Sequence, residues 1–443
     1  MGLTDTTATR RDPGTGNRNR VTRLPLLTIV GHPDPARIGE QVLLETAPFP
    51  LDRATRVFPG GPLGDASVSR EHARIEPDRE GTYRLQDAGS RNGTCVNERR
   101  VGREWRRLAD GDLVRVGEVL LLVHTVEVPP PEDAEIPSLL GSSQAIRCLR
   151  GQIARSAKGD LPVLILGETG SGKELVAAAL HAQGRPGRPF RAVNAGALPG
   201  TLVESMLFGH LKGAFTDAGE ARQGFLQACD RGTLFLDEIG EVPMDVQARL
   251  LRAVEERSVL PLGASRPIPI DVRLVAATNR ELLQEVAAGR FREDLYARLA
   301  QGVIRCPPLR ERREDIPVLA LRFAGGRAFD AEAMTRLLMH PWPFNVRELK
   351  GVVEGAVAEG PRSGPLSLSP RQLQMLVEHR RYSLDRDSPP ALDLESVEAA
   401  LVQTEGNMSQ AAARLGKDRG QLYRIVRRLG LDPGRFRKVR PDP

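Results

Sequence analysis

The sequence predicts a multidomain protein: an all-β sandwich, then an α/β parallel sheet with a helical lid, then an all-α helix-turn-helix. Three observations support this. From 25 to 128, short apolar alternations are separated by Gly, Pro and Asp with no long helical period, which is how a β-sandwich reads. From 137 to about 320, apolar strands alternate with amphipathic helical stretches, the pattern of an α/β sheet. From 392 to 430, two short helical stretches are split by Gly416, which describes a compact helical unit.

The elements follow in order. Residues 1–24 are polar and rich in Arg, Thr and Gly, and are expected to be disordered. In 25–128, Leu26–Val30, Ala73–Ile75, Tyr83–Leu85, Leu113–Val116 and Val119–Thr125 read as strands. Pro129-Pro130-Pro131-Glu132-Asp133 opens a stiff linker over 129–136. The α/β domain spans 137–360, with 321–360 as its lid. Residues 361–391, rich in Pro, Ser and Arg, form a second linker with a short helix near Pro370–His379, and 392–443 hold the helical unit and a basic tail.

Composition narrows the class. A chain of 443 residues is too long for one core. The charge of +6 leans toward an anionic partner. Cys95, Cys148, Cys229 and Cys306 are widely scattered, without metal or CxxC spacing, so reduced thiols are expected. The longest apolar runs, such as Val119–Val123, are far short of a membrane span, and no apolar signal region stands at the N-terminus. A cytoplasmic protein with no membrane partner is expected.

The apolar run Val163–Leu166 feeds Gly167-Glu168-Thr169-Gly170-Ser171-Gly172-Lys173-Glu174. A buried strand, a glycine-rich turn and a lysine at a helix start make a phosphate cradle, with backbone N–H groups converging on phosphate oxygens and Lys173 reaching the terminal phosphates. Leu234-Phe235-Leu236-Asp237-Glu238 is a strand ending in two acids. Asp237 would hold Mg²⁺ directly or through water, and Glu238 would polarise an attacking water. A further strand, Val272–Ala276, leads to Thr278 and Asn279, at the edge where ligands of parallel sheets gather.

Three further stretches are Glu204-Ser205-Met206-Leu207-Phe208-Gly209-His210 running into Lys212–Ala218, then Phe291–Leu299, then Trp342-Pro343-Phe344-Asn345-Val346-Arg347-Glu348-Leu349. With Gly167–Glu174 they resemble the AAA+ domain of the NtrC-type bacterial enhancer-binding proteins, which activate sigma-54 RNA polymerase. The resemblance covers about 137–360. That family's phosphate loop also ends in Lys-Glu, so Glu174 matches it. The resemblance implies ATP with Mg²⁺ as ligands, Asn194 as the partner of the catalytic Glu238, Thr278 and Asn279 as a first sensor, and Arg347 as a second. It implies Arg292 and Arg298 as arginine fingers; six residues apart, they face differently on one helix. Gly213-Ala214-Phe215-Thr216-Asp217-Ala218 resembles the loop that touches sigma-54, with Asp217 in place of a glycine. Aspartate tolerates positive φ better than most residues. Phe344 also replaces a glycine, which bears on Arg347's aim, and the segment from Ile316 to Trp342 is short for the family.

In the first domain, Val68-Ser69-Arg70-Glu71-His72-Ala73 and Asp87-Ala88-Gly89-Ser90-Arg91-Asn92-Gly93-Thr94 resemble the forkhead-associated (FHA) domain, a sandwich whose loops bind phosphothreonine. Such a ligand needs charge-assisted donors from several loops. Arg53, Ser69, Arg70, Arg91 and Asn92 are the matching candidates, with His72 and Asn97 as loop braces. Asp52, where the family has glycine, would bring negative charge near the phosphate.

At the other end, Asn407 or Ser409 would cap a helix carrying Ala411, Ala412 and Leu415 inward. A second helix from about Asp418 would bury Leu422, Ile425, Val426 and Leu429. The stretch resembles a Fis-type DNA-binding domain. From Arg419 to Arg440 eight basic residues face one acid, a stripe suited to phosphate contacts. Arg419, Arg427 and Arg428 are candidates there, while Gln421 and Arg424 could read base edges.

Together these readings describe a sigma-54-dependent transcriptional activator. It would bind a two-fold enhancer DNA site, form a homo-oligomer (a hexameric ring by resemblance), and spend ATP on remodelling sigma-54 RNA polymerase holoenzyme. Control would come through FHA recognition of a phosphothreonine-bearing protein, since no receiver domain is visible. The alternative is a DNA-binding repressor or phosphopeptide-binding scaffold with a non-remodelling ATPase domain, supported by Asp217 and Phe344.

Overall fold

The structure, a computed structural model, describes residues 22–44, 48–54, 56–78, 82–128, 133–197, 200–214, 220–387, 394–404 and 406–415, with Leu422, Val426, Leu431 and Phe436. The first domain is two antiparallel sheets. One runs in the order Gln41–Leu43, Thr22–Gly31, Val119–Val128, Leu113–Val116, Thr94–Val96, Arg99–Val101; the other runs Phe49–Leu51, Ala73–Pro77, Tyr83–Asp87, Arg106–Leu108. Alternate residues of both, among them Leu27, Ile29, Ile75, Leu85 and Leu121, fill the space between them.

The second domain carries five parallel strands in the order Phe190–Asn194, Thr233–Asp237, Arg273–Thr278, Val163–Leu166, Val303–Arg305. Both faces are covered, which is why these strands read as continuous apolar runs. Phe235 packs with helices Gln144–Ala157 and Lys173–Gly184, while its neighbours Leu234 and Leu236 pack on the other side with helix Met244–Glu256. Because the strands are parallel, Leu166, Asn194, Asp237 and Thr278 all finish at one edge.

The lid is three helices, Ile316–Phe323, Ala331–Met339 and Asn345–Glu359. Its turn holds Trp342 and Asn345 at positive φ, 53° and 55°. Phe344 has φ −110°, open to any residue, so the backbone here needs no glycine. Both expected linkers are partly packed. Asp133 takes two hydrogen bonds of 2.7 Å from Arg150, and Ile136 is buried with the sheet's helices. The helix expected near Pro370–His379 runs over Pro370–Asp387, because Gln372 and Leu376, one turn apart, lie buried and Leu376 belongs to the lid core.

The sandwich sits on the lid. Strand Val119–Val128 is apolar on both faces: Leu121 and Val123 point into the sandwich, whereas Leu120 and Leu122 share a core with Ile316, Leu319 and Leu338. Arg336 pairs with Glu98 at 3.1 Å across the same contact. His124 Nδ1 lies 3.8 Å from Glu314 Oε1, a separation that suits an ion pair. Burial nevertheless pushes the histidine down to about 4 and Glu314 up to about 7, so the imidazole is neutral at pH 7 and the contact carries little charge attraction.

The C-terminal unit stands as its own body. Helices Leu394–Gln403 and Met408–Arg414 bury Val397, Leu401, Ala411 and Ala412 with Leu422 and Val426. Asn407 is the cap, its Oδ1 accepting from Ser409 and Gln410 N–H at 3.1 and 3.2 Å. No described helix is long and apolar enough to cross a membrane.

Candidate functional site

The phosphate loop turns from strand Val163–Leu166 into helix Lys173–Gly184, with Gly170 and Gly172 at φ 76° and 107°. Gly170 is required for a second reason: a Cβ there would lie 2.2 Å from the Phe344 carbonyl of the lid. Lys173 is 7% exposed, and its ammonium donates to the Gly167 carbonyl at 3.0 Å and the Glu168 carbonyl at 3.4 Å. These are weak neutral acceptors that phosphate oxygens outcompete. Ser171 Oγ closes the loop on the Glu168 carbonyl at 2.7 Å. Glu174 is exposed in the first helical turn.

The neighbouring strand ends bring the other candidates in. Asn279 Nδ2 donates to Thr169 Oγ1 at 3.0 Å, and the Gly167 N–H donates to the Thr278 carbonyl at 3.3 Å. Asp237 Oδ1 accepts from the Glu238 N–H at 3.1 Å, while its other oxygen has no hydrogen-bond partner among the described residues. That open oxygen fits a Mg²⁺ held mainly by a triphosphate. Glu238 itself is in the left-handed region at φ 53°, a strained setting for a non-glycine residue. Burial raises its pKa, the nearby Lys173 draws it back, and Asp237 adds to the rise. Asn194 pairs in register with Asp237, and its Oδ1 and the Glu238 Cβ both flank Gly196. Arg347 is exposed on the lid helix, its Cβ 2.9 Å from where a Cβ on Gly170 would stand.

The two finger candidates occupy different places. Arg292 stands just before helix Glu293–Leu299 without capping it, and forks onto Asp294 at 2.7 and 3.0 Å. Arg298 lines a cavity of about 160 Å³ with Asp160, Arg185 and Ile270. Its Nε is buried and unpartnered among the described residues. Gly209–His210 pairs antiparallel with Arg222–Gln223, bracketing residues 211–221. Gly213 has φ 77° and Ala214 is half-buried; Phe215, Thr216, Asp217 and Ala218 lie outside the described residues, as do Arg419, Gln421, Arg424, Arg427 and Arg428.

In the sandwich, two loops are stitched together. Ser69 Oγ accepts from the Arg91 N–H at 3.1 Å, Asn92 Nδ2 donates to the Ser67 carbonyl at 2.7 Å, and the Arg53 N–H donates to the Ser69 carbonyl at 3.1 Å. His72 braces both: Nδ1 accepts from the Ser69 N–H at 2.9 Å and Nε2 donates to the Gly93 carbonyl at 3.1 Å. Burial lowers its pKa, which keeps that neutral tautomer in place. Asn97 bonds Asp112 and the Leu113 N–H instead. Arg70 and Arg91 are exposed. Asp52 accepts from the Ala54 N–H at 2.7 Å.

Sequence reasoning passed over Arg310, Arg312 and Asn345. Glu168 takes a forked pair from Arg310 at 2.7 and 2.8 Å and a third bond from Asn345 Nδ2 at 3.0 Å. The signal was there: Leu309-Arg310-Glu311-Arg312-Arg313-Glu314-Asp315-Ile316 is a dense charge run bounded by two apolar residues, and both of those are fully buried.

The chain matches four domain families. Residues 139–305 match the sigma-54 interaction domain, 55–117 the FHA domain, 310–364 the AAA+ ATPase lid domain, and 390–429 the bacterial regulatory proteins of the Fis family. It is 42% identical to the response regulator protein PilR of Pseudomonas aeruginosa over 340 residues, 72% of this chain and 76% of PilR. It is 44% identical to the transcriptional regulatory protein ZraR of Salmonella typhimurium over 334 residues, 70% of this chain and 74% of ZraR. With the DNA-binding transcriptional regulator NtrC of Rhizobium meliloti it shares 40% identity over 341 residues, 66% and 70% of the two chains. The chain therefore belongs to the sigma-54-dependent transcriptional regulators, with an FHA domain ahead of its AAA+ domain and a Fis-type DNA-binding helix-turn-helix behind it.

Proposed function

We propose that this regulator is a cytoplasmic activator that hydrolyses ATP in a homo-oligomeric ring and uses the cycle to remodel sigma-54 holoenzyme at enhancer-controlled promoters. The observation that carries the reading is Glu238, a half-buried carboxylate with a raised pKa beside Lys173 and Asp237. A carboxylate so placed can orient and deprotonate water, since a base works best with its pKa drawn toward the working pH. The phosphate-loop N–H groups and Lys173 bind the phosphates, and Asp237 holds Mg²⁺, which neutralises phosphate charge. Asn194 reports on Glu238, Thr278 and Asn279 on the loop, and Arg347 on the nucleotide from the lid. Arg292 is the finger offered to the neighbouring protomer; Arg298 serves from its own cavity. The Gly213–Ala218 segment, Phe215 above all, touches sigma-54, and Arg419, Gln421, Arg424, Arg427 and Arg428 bind enhancer DNA. Capture of purified sigma-54 by the protein in its ADP–aluminium fluoride state tests this reading.

The FHA loops, in the same proposal, bind a phosphothreonine-bearing partner through Arg53, Ser69, Arg70, Arg91 and Asn92. Ser69→Ala and Arg53→Ala should each weaken binding to a degenerate phosphothreonine peptide pool by about tenfold or more. Binding is read by calorimetry. Equal affinity for the pool and its unphosphorylated twin would remove phosphothreonine from the account.

A further inference from the structure

Consecutive residues at the root of the lid grip three different neighbours. Arg310 forks onto Glu168 of the phosphate loop, and Arg312, 4% exposed, donates from Nη2 to the Ser171 carbonyl at 2.9 Å. Arg313 turns to the sandwich, donating from Nη1 to the Gly111 carbonyl at 2.7 Å while its Nε holds the Leu338 carbonyl at 2.8 Å. Glu314 faces His124 of the sandwich. Asp315 then accepts from the Ser142 and Ser143 N–H groups at 2.9 Å each and from the Ser143 hydroxyl at 2.6 Å.

The segment is stiff and irregular. Two 3₁₀ turns, Leu309–Glu311 and Arg313–Asp315, are separated by Arg312 at φ −138°. That break sends Arg310 and Arg313 to different neighbours, although both stand on short hydrogen-bonded turns. The turns are closed by Glu311 to Pro308, Arg312 to Leu309 and Asp315 to Arg312 bonds of 3.1, 3.1 and 2.9 Å. The phosphate-loop end is equally fixed. Asn345 Nδ2 reaches Glu168 and the Thr169 carbonyl, its Oδ1 accepts from the Leu309 N–H at 2.7 Å, and the Val346 N–H donates to the Gly170 carbonyl at 3.0 Å. A displacement at Arg313 therefore has few soft torsions to relax into before it reaches Glu168.

We propose that Arg310–Asp315 is a relay by which the docked FHA domain sets the phosphate loop, with Arg313 as its anchor on the sandwich and Arg310 as a positioning residue for ATP hydrolysis. The inference rests on the ATPase reading above. Arg310 acts through Glu168, next to the Gly170 turn against which Arg347 of the lid helix stands, so its loss misaligns the transition state more than it weakens nucleotide binding.

The test is a double-mutant cycle in the full-length protein with Arg310→Ala, Arg313→Ala and both together. Magnesium-dependent ATP turnover and affinity for a fluorescent ADP analogue are both measured. Arg310→Ala should lower kcat about tenfold with KM moved by no more than about threefold. Arg313→Ala should change kcat by about threefold or more, and the double variant should match Arg310→Ala alone, because residues that act as one unit are non-additive. Arg313→Lys, which can still donate to the Gly111 carbonyl, should restore natural turnover and so separates a lost relay from a misfolded chain. Multiplying effects in the double variant, or an Arg313→Ala protein with natural turnover and analogue affinity, would overturn the relay. A natural protein that binds the analogue without hydrolysing ATP would contradict the ATPase reading itself and, with it, the positioning role of Arg310.

Discussion

Lys173→Ala will reduce magnesium-dependent ATP hydrolysis by roughly a hundred- to a thousandfold, the usual cost of removing a preorganised charge from a phosphoryl-transfer site. The ammonium is buried among the Gly167 and Glu168 carbonyls and is the main influence lowering the Glu238 pKa against burial. The pH profile should move as well. A general base must be ionised to act, so activity rises as pH climbs through its pKa. Without Lys173 the Glu238 pKa goes further up, and the rising limb of any residual activity shifts to higher pH. Residual turnover within about tenfold of natural, with an unmoved limb, would show that Lys173 is not the phosphate lysine.

Leu122→Asp will detach the FHA domain from the lid. Leu122 is 2% exposed and packs into the lid core with Val30, Leu113 and Leu120. An unpaired carboxylate among these groups costs about 3–5 kcal/mol, against about 2–4 kcal/mol for the cavity left by Leu122→Ala. The neighbouring Leu121 points into the sandwich, so Leu121→Asp should unfold the FHA domain itself. Scanning calorimetry distinguishes the two. Leu122→Asp should split sandwich and AAA+ melting into separate transitions, whereas Leu121→Asp should remove the sandwich transition. A Leu122→Asp protein that melts like the natural one would contradict the docked arrangement.

The parts legible from sequence are those whose cause is local. The phosphate loop announces itself because strand, glycines and lysine are contiguous, and the strand ending in Asp237-Glu238 is legible from its apolar run. Contacts between distant segments were not legible. The continuous apolar run Val119–Val123 was visible in the sequence, yet its two-faced burial follows only from a lid far along the chain, with Ile316, Leu319 and Leu338. The charged run after Leu309 reads as a solvated turn until its arginines are seen on Glu168, Ser171 and Gly111. Phe344 stands where the family pattern has glycine, which bears on the lid turn and on Arg347's aim, yet in this backbone it sits at a negative φ that any residue adopts. The helix from Pro370 runs past the expected end because Gln372 and Leu376 pack inward, a partner-dependent cause.

The proposed function couples ATP hydrolysis to sigma-54. The direct measurement is trapping of purified full-length protein on purified sigma-54 with ADP–aluminium fluoride, using the natural chain and Phe215→Ala. A stable complex is expected with the natural chain, despite Asp217, and its loss with Phe215→Ala. A natural protein that hydrolyses ATP yet forms no complex with sigma-54 would contradict it.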